Sequence, residues 1–174
     1  MFAGKEVLNL NFKNLKITEA LNYTGEIIIM RDAAQKRISE LILNGEEVPI
    51  DLNGKIVFYA GPAKKKDGDA CGAIGPTTSE RMDKFLEMLF KLGVVATIGK
   101  GARTDVARDL CRKYERVYFV TPSGSAASLS KKIKKHEVLL YEELGTEAIQ
   151  KIYVEDFPLM VAIDSCGKDF FLKE

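Results

Sequence analysis

Short apolar runs alternate with amphipathic stretches along this chain of 174 residues. Glu26 to Met30 is compact and apolar and reads as a buried strand. From Arg31-Asp32-Ala33-Ala34 the period becomes helical, with Ala34, Ile38, Leu41 and Ile42 recurring on one face. Asp32 is placed as a cap or first-turn anion, and Asn44-Gly45 ends the helix. Lys55 to Ala60 predicts another strand, stopped by Gly61-Pro62. The helix after Thr77 carries the clearest stripe, Met82, Phe85, Leu86, Leu89 and Leu92, and Gly93 terminates it. Val94 to Ile98 predicts a strand that runs into Gly99-Lys100-Gly101. A second amphipathic helix follows, with Val106, Ala107, Leu110, Cys111 and Tyr114 on one side. Val117 to Val120 is a strand, Gly124 to Leu129 a helix start rich in small residues, and Glu137 to Tyr141 a strand. Ile152 to Val154 and Leu159 to Ile163 complete the set, with Phe157-Pro158 expected to turn between them. Strands alternating with helices predict parallel pairing covered by helices, in one α/β domain spanning residues 1–174.

Composition narrows the function classes. Net charge is +1, so no global field calls for nucleic acid or an acidic membrane surface. The clusters Lys64-Lys65-Lys66 and Lys131-Lys132 with Lys134-Lys135 read as a solvated loop and a solvated helix face, without the interleaved aromatics of a single-strand binder. No apolar stretch approaches a membrane span, and Met1 to Asn11 lacks the basic and apolar regions of a signal peptide. Three widely spaced cysteines, Cys71, Cys111 and Cys166, do not make a closed disulfide framework, and a reducing cytoplasm suits them. Cys111 reads as core; Cys71 and Cys166, in glycine-flanked loops, read as semi-exposed. The one histidine, His136, reads as a surface residue, and a self-contained zinc site is not expected.

The run from Gly61 to Asp83 is where residue types point to chemistry. Gly75-Pro76-Thr77-Thr78-Ser79-Glu80-Arg81 combines a helix start, a hydroxyl cluster and an arginine, the parts of an anion receptor. One hydroxyl is expected to serve as the N-cap. Arg81 stands in the first turn against the helix dipole, and its fork could clamp a carboxylate. An ordinary capped helix with a surface arginine is the alternative reading. Gly99-Lys100-Gly101-Ala102-Arg103 follows a strand, where open α/β sheets gather ligands, though Gly-Lys-Gly is also a common turn. Arg31 at a strand-to-helix junction is expected to pair with Asp32 or another nearby acid.

Taken together these segments resemble the small (β) subunit, or C-terminal domain, of class I iron–sulfur-dependent fumarate hydratases and L-tartrate dehydratases. The matching pieces are Arg31-Asp32-Ala33-Ala34, Gly45-Glu46 with Pro49, Tyr59-Ala60-Gly61-Pro62 and Gly75 to Asp83. Gly99-Lys100-Gly101, Gly145-Thr146-Glu147-Ala148 and Val154-Glu155-Asp156-Phe157-Pro158 continue them in order. The resemblance implies a swivelling β/β/α domain with mixed sheets and covering helices. It implies a hydro-lyase interconverting fumarate and L-malate, with L-tartrate dehydration or a non-catalytic dicarboxylate-binding or assembly role as alternatives. It further implies a four-iron four-sulfur cluster carried by a partner α subunit and not by this chain, with oligomers of α/β pairs left open. By motif position, Arg31, Thr77, Arg81 and Lys100 would contact substrate, with Thr77 the candidate for proton transfer. Two departures stand out: Gln35 where the family usually has histidine, and Ser123-Gly124-Ser125-Ala126-Ala127 where Gly-Gly-x-Ala is common.

Overall fold

A computed structural model describes residues 11–64, 68, 70–121 and 126–172. Lys65, Lys66, Ser123, Gly124, Ser125 and most of the Met1 to Asn11 segment therefore lie outside the described residues. The elements in chain order are β1 (Ala20–Ile29), α1 (Asp32–Leu43), β2 (Ile56–Phe58), α2 (Asp83–Lys91) and β3 (Ala96–Gly99). They continue with α3 (Asp105–Tyr114), β4 (Val117–Val120), α4 (Ala126–Ser130), β5 (Ile133–Leu140) and β6 (Ile149–Ile163). Single 3-10 turns precede α2, at Glu80–Met82, and β6, at Glu142–Glu147.

Strands β1 to β4 run parallel in sequence order, as the alternation predicts. The long β6 then pairs antiparallel with β4 through Tyr118↔Ile163 and with β1 from Ala20↔Met160 to Ile29↔Gln150. These pairings close β1-β2-β3-β4-β6 into a five-stranded barrel, and β5 adds to the free stretch of β6. Period-two alternation sends Ile27, Ile29, Phe58, Ile98, Phe119, Phe157 and Val161 to one core. Their neighbours Ile28, Met30, Val57, Tyr59 and Tyr118 pack on the opposite face against Ile38, Leu86, Leu89, Ala107 and Leu110 from the helices. The barrel thus has a filled interior and an outer layer of α1, α2 and α3.

Several expectations are corrected. Phe157-Pro158 does not turn: β6 is continuous, and Pro158 pairs with Asn22. The irregularity is absorbed one residue earlier, where Asp156 takes a positive φ of 53° at a register shift against β1. Val106 is 54% exposed, on the outer side of α3 rather than with Ala107 and Leu110. Cys71 is buried, not semi-exposed, whereas Cys166 is exposed and Cys111 is core as expected. Among the described residues no helix is long and apolar enough to cross a membrane.

One buried polar knot ties the outer layer to the barrel. Asp83, the first residue of α2, forms an ion pair with Arg103. It also accepts hydrogen bonds from Thr104 N at 2.9 Å and Thr104 Oγ1 at 2.6 Å, so one carboxylate serves the N-terminal ends of both α2 and α3. The Arg103 guanidinium is fully buried between the rings of Tyr59 and Tyr118, whose centroids lie 5.4 Å and 4.8 Å from it. Burial opposes its charge, but Tyr59, Asp83 and Tyr118 outweigh that penalty and hold its pKa above the ordinary arginine value. Removing the anion alone leaves a buried cation. Asp83→Ala is accordingly expected to destabilise the chain by about 3–5 kcal/mol, read as a shift of the urea midpoint. An unshifted midpoint would contradict the role given to this pair. Burial also pushes the Cys111 thiol up to about 12, so it stays protonated and unreactive at neutral pH. A disulfide reagent at pH 8 is expected to titrate one thiol, Cys166, in the folded chain and all three after denaturation.

Candidate functional site

The carboxyl ends of the parallel strands form one rim of the barrel, and three of the four residues singled out by sequence stand on or against it. Arg31 follows β1 and Lys100 follows β3. Thr77 is brought there by an extended segment, not by a helix start. Its backbone N–H donates to Tyr59 O at 2.8 Å, and its carbonyl accepts from Lys100 N at 3.3 Å. Ser79 N donates to Lys100 O at 3.2 Å. Pro76 to Ser79 therefore fills the gap beyond β2 and β3 like an added strand, with bridges Ala60↔Pro76 and Thr78↔Lys100.

None of the three hydroxyls caps a helix. Ser79 precedes the 3-10 turn without a side-chain cap bond, and α2 opens only at Asp83, whose carboxylate already occupies that end. The anion receptor expected at a free helix terminus is thus replaced by side chains. Ser79 is fully buried and receives Lys100 N on its Oγ at 3.2 Å, while Tyr118 Oη lies 3.0 Å from it and donates to Gly101 O at 3.0 Å. Burial raises the Tyr118 pKa, so the phenol keeps this proton. A Cβ on Gly99 would stand 1.8 Å from Ser79 Oγ, which explains the first glycine of Gly-Lys-Gly; the second, Gly101, adopts a φ of 81°.

The fourth residue, Arg81, completes the group. Its Nε donates to both oxygens of Asp32, at 3.0 Å and 3.1 Å, and its Nη2 donates to Thr77 Oγ1 at 2.9 Å. Asp32 sits in the first turn of α1 as expected, yet its partner is Arg81 and not Arg31. Arg31 instead pairs with Glu147, Nη2 to Oε1 at 3.2 Å. Of the site's three cations, Lys100 is the one with no carboxylate partner among the described residues. Arginine carries five N–H donors, so both guanidinium groups keep donors for a ligand. Beside Lys100 opens an apolar groove of about 460 Å³, lined by Leu21, Val120, Pro158, Leu159, Met160 and Phe171.

Gln35 is fully buried beneath this rim. Its Nε2 donates to Met30 O at 3.3 Å and lies 3.6 Å from Met82 Sδ, and its Oε1 has no partner among the described residues. The side chain therefore acts on the backbone leading into Arg31. Asp83 and Glu147 are contributors that the residue pattern alone gave no role, and Arg103, named with the Gly-Lys-Gly segment as a ligand candidate, is instead buried against Asp83. The available signals were an acid opening a helix with a buried face, and an arginine directly after a glycine-rich strand end. Among the described residues no three His, Cys, Asp or Glu side chains stand together as a metal-ligand set.

Comparison with known proteins bears on the whole chain. Residues 4–174 match the family model described as Fumarase C-terminus. The chain is 40% identical over 169 residues to the anaerobic class I fumarate hydratase of Escherichia coli K12, covering 96% of this chain and 31% of that protein. Fumarate hydratase 2 of Leishmania major is 40% identical over 151 residues, covering 86% of this chain and 27% of that protein. The L(+)-tartrate dehydratase subunit beta of Shigella sonnei is 32% identical over 164 residues, covering 91% of this chain and 80% of that subunit. The chain thus spans less than a third of the fumarate hydratases but most of the smaller subunit. It belongs to the Fumarase C-terminus family.

Proposed function

We propose that this chain is the small subunit of an iron–sulfur-dependent hydro-lyase that interconverts fumarate and L-malate. The observation that carries this reading is the cluster of Thr77, Arg81 and Lys100, joined through backbone and side-chain hydrogen bonds at the rim where Arg31 leaves β1. A larger partner, the α subunit, would hold the four-iron four-sulfur cluster and complete the site. The match along most of a tartrate dehydratase subunit beta supports a separate small subunit, and it keeps L-tartrate as the second substrate to test.

In this reading the chain binds and orients a C4 dicarboxylate. Arg31, Arg81 and Lys100 grip its carboxylates, and their charge also stabilises the aci-carboxylate that forms when the carbon next to a carboxylate loses its proton. Charge-assisted hydrogen bonds contribute about 1.5–3 kcal/mol each, enough for a few of them to hold a small dianion after association costs. Asp32 and Glu147 temper that charge, so the rim carries a single net positive charge and leaves the rest to the partner. Thr77 accepts from Arg81, so its own O–H is free to donate toward the ligand. An unassisted threonine hydroxyl is a very poor base. The neighbouring guanidinium would stabilise the alkoxide if the proton left, which makes Thr77 a firm substrate contact and a proton acceptor only in that form.

Two measurements test the reading. The purified chain is expected to fold yet show no hydratase activity and carry no iron, and to give turnover only with its cluster-bearing partner, assayed anaerobically with fumarate and with L-tartrate. Robust turnover by the chain alone would overturn the shared site. In the assembled enzyme Arg81→Ala is expected to lose about 2–5 kcal/mol of transition-state binding, or roughly thirtyfold to several thousandfold in kcat/KM. A wild-type kcat/KM in that variant would remove Arg81 from the site.

A further inference from the structure

Three segments that share no neighbourhood in the sequence close around one side chain. Arg31 leaves β1 and lies across Gly61, where a Cβ would stand 2.9 Å from Arg31 Nη1 and 3.0 Å from Thr146 O. A side chain at Gly61 would therefore force the guanidinium to shift against the Thr146 carbonyl. On the far side, Glu147 Oε1 holds Arg31 Nη2 at 3.2 Å, with about a quarter of each side chain exposed, 26% and 28%. Arg31 Nε is buried with no acceptor among the described residues. A desolvated, unpaired donor is costly, so this arginine is not seated for its own stability.

The backbone that carries Glu147 is itself held from two directions. The 3-10 turn docks on α1 through the Arg37–Glu143 ion pair, with Arg37 lying 4.8 Å over the Tyr141 ring. Gly145 then takes φ 59° and ψ −118°, a conformation that favours glycine, and redirects the chain toward Arg31. Gln150 is 2% exposed; its Nε2 donates to Thr146 O and Ala148 O, each at 3.5 Å, on either side of Glu147. His136 Nε2 lies 2.6 Å from Gln150 Oε1 and fixes which way that amide points.

We infer that Glu147 is a positioning residue: it locks the Arg31 guanidinium over Gly61 so that its remaining Nη donors face the substrate carboxylate. This rests on the reading that Arg31 contacts substrate. A pre-ordered guanidinium spares the rotamer freedom that a free arginine would lose on binding. In this inference Arg31 grips the carboxylate remote from the carbon that loses its proton, and the aci-carboxylate falls to Arg81 and Lys100. The Arg31 contact then forms with substrate and transition state alike, so its loss falls on KM.

The test uses the enzyme assembled with its partner and, separately, the full chain alone. Glu147→Ala is expected to raise KM for the dicarboxylate about tenfold while kcat stays within about threefold, and Glu147→Gln, which keeps an acceptor oxygen, to recover most of the loss. An unchanged KM in Glu147→Ala overturns the proposal. So does a lowered KM, because Glu147 would then compete with substrate for Arg31. In the chain alone, the Arg31 Nε–Hε resonance, assigned by its disappearance in Arg31→Lys, is expected to be sharp at neutral pH, lost in Glu147→Ala and restored in Glu147→Gln. Its absence from the native chain, or its persistence in Glu147→Ala, likewise overturns the proposal. Arg31→Ala with a native KM would refute substrate contact by Arg31, and the resonance would then still decide whether Glu147 orders it.

Discussion

The arrangement of this molecule depends on a carboxylate buried between two helix starts. Asp83 neutralises Arg103, caps the entry to α3 through Thr104, and begins α2. Two tyrosine rings, Tyr59 just after β2 and Tyr118 in β4, close over the guanidinium, so the charge sits in a slot lined by π faces and hydroxyls. Arg103 donates from Nε to Asp83 and from Nη1 to Thr97, while Nη2 has no partner among the described residues. Breaking the bonds that are made would strand a buried charge. The geometry of β3, α2 and α3 is thereby restricted to the few arrangements that make them. Ser79 and Lys100 lie within the same network through Tyr118. The rim inherits its register from the knot below it.

Seen from that rim, the chemistry is one of restrained charge. Each arginine meets a carboxylate before any ligand arrives, and each keeps part of its donor set. A rim of three unpaired cations would repel itself and attract anions of every kind. Pairing lowers that repulsion and fixes direction, which the proposed dicarboxylate, with two ends at set spacing, would need more than raw attraction. The apolar groove beside Lys100 adds no charge of its own.

Periodicity made the strands and helices legible because both faces of the barrel wall are apolar and the helices present narrow stripes. It failed where tertiary pairing overrides local preference. Thr77 to Ser79 looks like a helix entry, but two strand ends with unfilled hydrogen-bond positions recruit it as extended chain. Phe157-Pro158 looks like a turn, but β6 absorbs the irregularity at Asp156 and keeps Pro158 in register with Asn22. Arg31, Thr77, Arg81 and Lys100 are the residues that the family resemblance names, whereas the pairing of each arginine with its carboxylate was not read from it. Which acid meets which arginine is set by long-range packing: Glu147 lies on the turn before the last strand, and Asp32 faces Arg81 across the gap between α1 and the turn before α2. Spacing along the chain carries no trace of either.

The closure of the barrel has a consequence in time. Residues 20–29 pair with residues 150–160, so β1 presents an open edge until the chain has been made as far as residue 160. Parallel neighbours can assemble as they are made, but the ring cannot. Contacts of this sequence separation slow folding, and an unpaired hydrophobic strand invites association with other chains meanwhile. Until then the nascent chain carries an uncovered strand edge. β6 serves as a wall of the finished domain and also as the step that ends that exposure.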